Sequence, residues 1–243
     1  MKRKIYHHGN LRESLISAAL KFLEKNPVEK LSLRTLALGA GVSQAAPYRH
    51  FKDREAVLAA IGQEGFELQF SYMMSAFEKY GNDPLELFHG FAQAYFHMGH
   101  AHPQHFKLMM SSGVCPSEEH PELLKSAAKS FALLKKMIVR CQDGKIIGAG
   151  DPYHKAMHCW SMVNGFTTLY AEGRLIWLGI DETNATKGLR TFVDQFRIGH
   201  SAPLLPDPSF KLFSTAESSK SLSQLKDGEM AIGEIKVKPS SKK

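Results

Sequence analysis

Apolar residues recur at helical spacing almost throughout the chain up to about Ile198, and the polar residues fall between them on the opposite faces. Leu11, Leu15, Ala18, Ala19, Phe22 and Leu23 form one stripe, which predicts a helix from Asn10 as N-cap to about Lys25, ended by Asn26-Pro27. A long helix follows Asp53 and carries Val57, Leu58, Ile61, Phe66, Phe70, Met73, Met74 and Phe77 to a break at Gly81-Asn82. Asp83-Pro84 opens another, with Leu87, Phe88, Phe91, Tyr95 and Phe96 inward, and His102-Pro103 starts a short one through Phe106, Met109 and Met110. Ser112 to His120 reads as loop. Pro121 begins a helix through Leu124, Phe131, Leu134, Met137 and Ile138, Gly148 to Pro152 breaks the pattern, and an apolar helix then runs to about Gly173. A last helix spans Asn184 to Ile198, with Leu189, Phe192, Val193 and Phe196 inward. Strand-like alternation is confined to a weak hint at Ile232 to Val237, so the fold class is all-α.

Between the first and the long helix lies a denser pattern, from Ser32 to Phe51. Leu33, Leu36 and Ala37 sit at helical spacing behind Ser32 as N-cap, Gly41 supplies a turn that needs positive φ, and Ser43 is placed to cap a second short helix. That second helix is small at its front (Ala45, Ala46) and carries Gln44, Tyr48, Arg49 and His50 outward. Such a helix-turn-helix is shaped for the DNA major groove. Pro47 removes a backbone donor early in the helix and crowds the Ser43 carbonyl, which predicts a tightened or bent first turn.

Charge strengthens this reading because of where it sits. Residues 1–55 hold eleven Lys/Arg against five Asp/Glu, a surplus of six out of a whole-chain net charge of +7. Residues 56–204 are close to neutral. The basic surplus travels with the hairpin, as phosphate binding requires. Three cysteines at 115, 141 and 159 make neither a paired framework nor a close-set metal motif, and no apolar stretch is long enough to span a membrane, which together predict a cytoplasmic protein. Beyond Pro203 the chain turns rich in Ser, Lys and Pro, which predicts a disordered tail over 203–243.

Leu36-Ala37, Gly41-Val42-Ser43, Tyr48-Arg49-His50-Phe51 and Lys52-Asp53-Arg54-Glu55 resemble the signature of the tetracycline-repressor (TetR) family of bacterial regulators. Arg54 stands where that family usually has a phosphate-touching lysine. The resemblance implies a three-helix DNA-binding domain over 1–55 with a basic arm at 1–9, followed by a helical effector-binding and dimerisation domain over 56–202. On DNA, Gln44, Ala45 and Ala46 are expected to face bases. Thr35, Tyr48, His50 and Arg54 are expected to hold phosphates, Arg34, Arg49 and Lys52 to belong to the same DNA-binding surface, and Lys2, Arg3 and Lys4 to add charge from the arm. Trp160 to Gly165 resembles the Trp-His-Gly motif of one C-terminal class in the family, with Asn164 in place of the histidine, and His102-Pro103 with Phe106 resembles that class too. The family pairs its last two helices with those of a twin across a twofold axis, which puts Trp160, Met162, Gly165, Phe192 and Phe196 at the dimer interface. It places its effector between the helices after the reading head, which puts Phe66, Phe70, Phe91, Tyr95, Phe106, Met109 and Phe131 around a pocket with Tyr95 and His97 as its polar groups. The function implied is a homodimeric repressor that binds a near-palindromic operator and is released by a small apolar or amphipathic molecule.

Two other classes stay open on the residues. A helical-bundle enzyme would have to use the cluster His97, His100, His102 and His105, but Pro103 turns the chain among them and no acid lies nearby in sequence, so neither catalysis nor a metal is expected. A non-specific architectural DNA-binding protein would share the basic head but need no effector. Ser126 to Lys129 matches an S-x-x-K pattern without its companion motifs, Gly148-Ala149-Gly150 follows no strand, and Asn184-Ala185-Thr186 is a glycosylation sequon only in a secreted protein. No cofactor is expected.

Overall fold

The computed structural model describes residues 11–110 and 115–199. The arm with Lys2, Arg3 and Lys4, the Asn10 cap, part of the 112–120 loop, the tail and its strand hint at 232–237 lie outside the described residues. Within them the structure is all-helical, with no strand.

Helix α1 (Leu11–Leu23), α2 (Leu33–Ala40) and the start of α3 (Arg54–Tyr80) enclose one core. Its buried residues include Leu15, Ile16 and Ala19 from α1, Leu36 from α2, Phe51, and Val57, Leu58 and Ile61 from α3. Ser32 caps α2 through a reciprocal box with Thr35: the Thr35 N–H donates to Ser32 Oγ at 3.1 Å and the Ser32 N–H donates to Thr35 Oγ1 at 3.0 Å. Gly41 closes the helix in the left-handed region at φ 67°, where a Cβ would be strained. Asp53 caps α3, accepting from the Ala56 N–H at 2.8 Å.

A second core is built from the rest of α3, α4 (Pro84–Ala101), α5 (Pro103–Met110), α6 (Pro121–Asp143), α7 (Pro152–Ala171) and α8 (Ala185–Gly199). Leu87, Phe88, Met98, Met137, Ile138, Val163 and Leu189 lie at its centre. Asp83 caps α4 by accepting from the Leu85 and Glu86 N–H groups, and Asp151 caps α7 by accepting from the Tyr153 N–H. Three prolines stand at the first turns of α4, α6 and α7, where the missing N–H costs nothing.

Two features tie the cores together. Helix α3 has 27 residues, about 40 Å of continuous helix, and contributes to both. Leu108 of α5 and Leu123 of α6 are buried in the first core although their helices belong to the second. Gly65 allows this close approach, since a Cβ there would stand 2.5 Å from Met109 Sδ.

The structure departs from the sequence reading at one element. The second helix of the hairpin is not a regular α-helix: Ser43 to Ala46 is a turn, and Pro47–Arg49 is a single 3-10 turn. Pro47 has no N–H to give the Ser43 carbonyl, so the Ala46 N–H takes it instead at 3.0 Å, and His50 and Phe51 both donate to the Pro47 carbonyl at 2.9 Å. The tightening expected from Pro47 extends through the whole element, and Ser43 does not act as a side-chain cap there. Two further one-turn 3-10 segments, Val28–Lys30 and Ile176–Leu178, have no counterpart in the sequence reading.

Candidate functional site

The outer surface of the basic head is set by Pro47. Its ring is buried, which turns Tyr48 outward to 63% exposure, beside exposed Gln44, Ala45, Arg49 and His50. Ala46 is half-buried. Phe51 anchors the far end of the turn in the core, with the Arg12 guanidinium 5.6 Å from its ring centroid. Arg34 and Lys52 are exposed, and Arg54 reaches the Glu29 carbonyl through Nη1 at 3.5 Å. Thr35 is half-buried, and its hydroxyl donates to the Ser32 carbonyl at 2.7 Å. That proton is committed to the cap of α2, so Thr35 can meet a phosphate only by giving up a bond that closes the helix. The arrangement is a protruding tyrosine and amide on a turn flanked by cations, a surface suited to a polyanion.

Under the head, α3, α4, α6 and α7 border a half-open cavity of about 330 Å³. Phe66, Gln69 and Met73 of α3 face it, with Phe91, Ala92 and Tyr95 of α4, Leu124, Ala127, Ala128, Ser130, Phe131 and Leu134 of α6, Cys159, Trp160 and Val163 of α7, and Pro116 ahead of α6. Of the residues expected at the pocket, the structure brings Phe66, Phe91, Tyr95 and Phe131 together on this wall and leaves the others off it. Phe70 lies under the Lys129 ammonium, 4.0 Å from its centroid. Phe106 is core, edge-on to Tyr95 at 5.8 Å, and Met109 is core against Gly65. Phe70 is on a cavity helix but on a face that packs, whereas Phe106 and Met109 belong to α5, which contributes nothing to the wall.

The polar lining also differs from the expectation. His97 is exposed, edge-on to Phe96, and does not reach the cavity. Tyr95 is saturated: its O–H donates to Asn164 Oδ1 at 2.9 Å, and its oxygen accepts from Trp160 Nε1 at 3.2 Å. Burial pushes the Tyr95 hydroxyl well above its ordinary range, an effect the Trp160 hydrogen bond partly offsets. Asn164 therefore holds Tyr95. The polar groups that do face the space are Gln69 and Ser130, which the sequence reading missed. Cys159 also lines the wall, its thiol pushed up to about 12 by burial first and by Cys141 second.

The remaining histidines scatter. His100 stacks on Phe96, His102 Nε2 lies 3.5 Å from the Tyr72 hydroxyl, and His105 Nε2 lies 3.6 Å from Glu64 Oε2. Burial, then the nearby His105, lowers the His102 pKa. Among the described residues no set of three or more His, Cys, Asp or Glu converges as metal ligands.

On the far side, α7 and α8 leave an open groove lined by Met162, Gly165, Phe166, Leu169 and Phe192. Leu169, Phe192 and, in the connecting turn, Ile176, Trp177 and Leu178 are exposed. A contiguous apolar face of this kind marks an interaction surface. Two residues expected on it are engaged elsewhere: the Trp160 indole belongs to the cavity wall, and Phe196 stacks on Phe88 at 6.1 Å between ring centroids. No helix among the described residues is long and apolar enough to cross a membrane.

The comparisons with known proteins agree with this geometry. Residues 15–61 match the family described as bacterial regulatory proteins, tetR family, and residues 88–195 match the tetracyclin repressor-like C-terminal domain. A solved protein of unknown function from Rhodococcus sp. RHA1 is 31% identical and superposes with a TM-score of 0.68, over 82% of this chain and 100% of that one. The TetR family transcriptional regulator PfmR from Thermus thermophilus is 19% identical, with a TM-score of 0.60 over 76% of this chain and 97% of its own. The fatty acid degradation regulator FadR from Bacillus halodurans is 14% identical, with a TM-score of 0.61 over 77% and 96%. No curated protein matches. With a helix-turn-helix head and a helical C-terminal domain both matched, this chain belongs to the TetR family of transcriptional regulators, and its role is regulatory rather than enzymatic.

Proposed function

We propose that the chain is a cytoplasmic, homodimeric repressor whose reading head, residues 1–55, binds a near-palindromic operator, and whose helical domain, residues 56–202, senses a small apolar or amphipathic effector. One observation carries this reading: the helix capped by Asp53 at the edge of the head also supplies Phe66, Gln69 and Met73 to the cavity wall. A molecule entering the cavity presses on the same rigid element that sets the angle of the head. On DNA, Gln44 and Ala45 meet base edges, while Tyr48, Arg49, His50 and Lys52 hold the backbone. Because the reading element is a 3-10 turn, only its protruding front can enter the groove deeply, which favours few base contacts and many phosphate contacts.

The dimer forms through Met162, Gly165 and Phe192 on the open α7/α8 face. Twin heads then sit about 34 Å apart, or a multiple of it, matching a twofold site. PfmR and FadR share this fold, and a fatty acid degradation regulator among the similar structures fits an apolar guest. The test is footprinting on DNA flanking the protein's own gene, across a salt series and beside random duplex, followed by operator titration with a ligand found by thermal shift. Protection of one near-palindromic site, lost on adding the ligand, is the expected result. Equal affinity for random duplex would identify an architectural protein, and a ligand that fills the cavity yet leaves operator affinity unchanged would remove the switch.

A further inference from the structure

Gln69 is 5% exposed, stands on α3 between Phe66 and Met73, and faces the cavity with them. Its amide carries two donors and an acceptor. Among the described residues it has no hydrogen-bond partner, whereas its polar neighbours do: Ser130 Oγ donates to the Phe66 carbonyl at 2.9 Å, and Tyr95 and Trp160 are joined to each other and to Asn164. Among the described residues the sealed side-chain atoms without a partner are His89 Nδ1 and His105 Nε2, so the Gln69 amide stays accessible from the cavity, where a guest can take up its hydrogen bonds. Among the described residues the wall also holds no Asp, Glu, Lys, Arg or His. On α6, Lys125 lies 3.9 Å from Glu122 on the exposed surface and Lys129 lies over Phe70, and neither lines the cavity.

We infer that the cavity is built for a neutral ligand, a hydrocarbon-rich molecule with one hydroxyl or carbonyl group that hydrogen-bonds to the Gln69 amide, and that it discriminates against anions. The inference deepens the effector reading and rests on it for its biological meaning. A carboxylate entering this wall loses its hydration and finds no counter-charge, while an alcohol or ketone needs a single partner. Gln69 provides it, and the Ser130 oxygen, which donates to Phe66 but keeps lone pairs, stands on the same wall as a second acceptor for a hydroxyl proton. At about 330 Å³ the space suits a small guest rather than a large conjugate.

The two tryptophans of the chain give a direct readout, because Trp160 lines the cavity and Trp177 is 79% exposed. In the Trp177→Phe protein, n-decanol should change the Trp160 emission saturably and raise the melting temperature. Decanoate at pH 8 should bind at least roughly tenfold more weakly. Gln69→Leu should fold as well as wild type, weaken decanol roughly tenfold, and leave decane unchanged or tighter. Gln69→Met serves as a second variant with the same expectation. Decanoate binding as tightly as decanol, an unchanged preference for decanol over decane in both variants, or no saturable response to any of the three probes overturns the inference. None of these arms involves DNA. Decanol that binds through Gln69 while leaving operator affinity untouched would refute the effector reading and leave this one standing.

Discussion

Gly165 offers a clean perturbation of the α7/α8 face. A Cβ built on it meets nothing within 4 Å, so within one protomer a tryptophan there projects into open groove between Met162, Leu169 and Phe192. The isolated subunit should not suffer: replacing a mid-helix glycine gains about 0.5 kcal/mol of helix propensity. In a twofold dimer built on this face, each indole enters a packed interface. Overpacking costs about 1–3 kcal/mol per site, and symmetry applies it twice, so dimerisation should weaken by roughly 2–6 kcal/mol, or about 30-fold to 10⁴-fold in the dissociation constant. Sedimentation equilibrium from nanomolar to micromolar concentration measures that shift, and circular dichroism checks that the subunit stays folded. The expected outcome is a folded monomer at concentrations where the wild type is dimeric, with operator binding lost in parallel. A Gly165→Trp protein that dimerises as tightly as wild type would refute the interface, and a wild type that sediments as a monomer at micromolar concentration would refute the dimer itself.

Two further outcomes follow from the same geometry. Tyr48→Ala should weaken binding to operator and random duplex alike, whereas Gln44→Ala should alter base preference by about 1–3 kcal/mol if the amide makes a good base contact; competition binding with single-base operator variants separates the two. Alkylation at pH 8 should label Cys115 first in the native protein, because it is exposed while burial pushes the Cys141 and Cys159 thiols up to about 12; mass mapping that finds Cys141, which lies off the cavity, labelled without unfolding would contradict the packing around α6.

What the sequence disclosed and what it hid have separate physical causes. Periodicity locates all eight α-helices of the described residues because each carries an apolar stripe over at least two turns, and proline and aspartate mark where several begin. One-turn elements have no period to read, so Val28–Lys30 and Ile176–Leu178 leave no trace in the pattern. The reading turn is an intermediate case. Pro47 is legible as a disturbance, but not how far it spreads, because that depends on its ring being buried and on two N–H groups finding its carbonyl. At the cavity, sequence supplies the helices but not the faces. Phe66 and Phe70 are one turn apart on α3, yet one lines the space and the other lies under Lys129, and only the rotation of α3 against α6 decides between them. Gln69 escapes notice for the same reason, since a glutamine on a helix reads as solvated until its neighbours are known.

The way the two cores interlock bears on how a small guest can act at a distance. Helix α3 alone could pivot at the base of the head and leave its angle loosely defined. Leu108 and Leu123 remove that freedom, because they reach into the head's core from α5 and α6 and brace it at points away from the α3 axis. Helix α5 is in turn held to α3 by the Gly65–Met109 contact, and α6 forms one side of the cavity. A guest that separated α3 from α6 would therefore act on both the pivot and one of its braces. The size of the response is limited by the guest's preference for one conformation: a tenfold change in operator affinity requires about 1.4 kcal/mol of difference, and DNA must weaken the guest's binding by the same factor. A single hydrogen bond to Gln69, made in one position of α3 and broken in the other, is of that order.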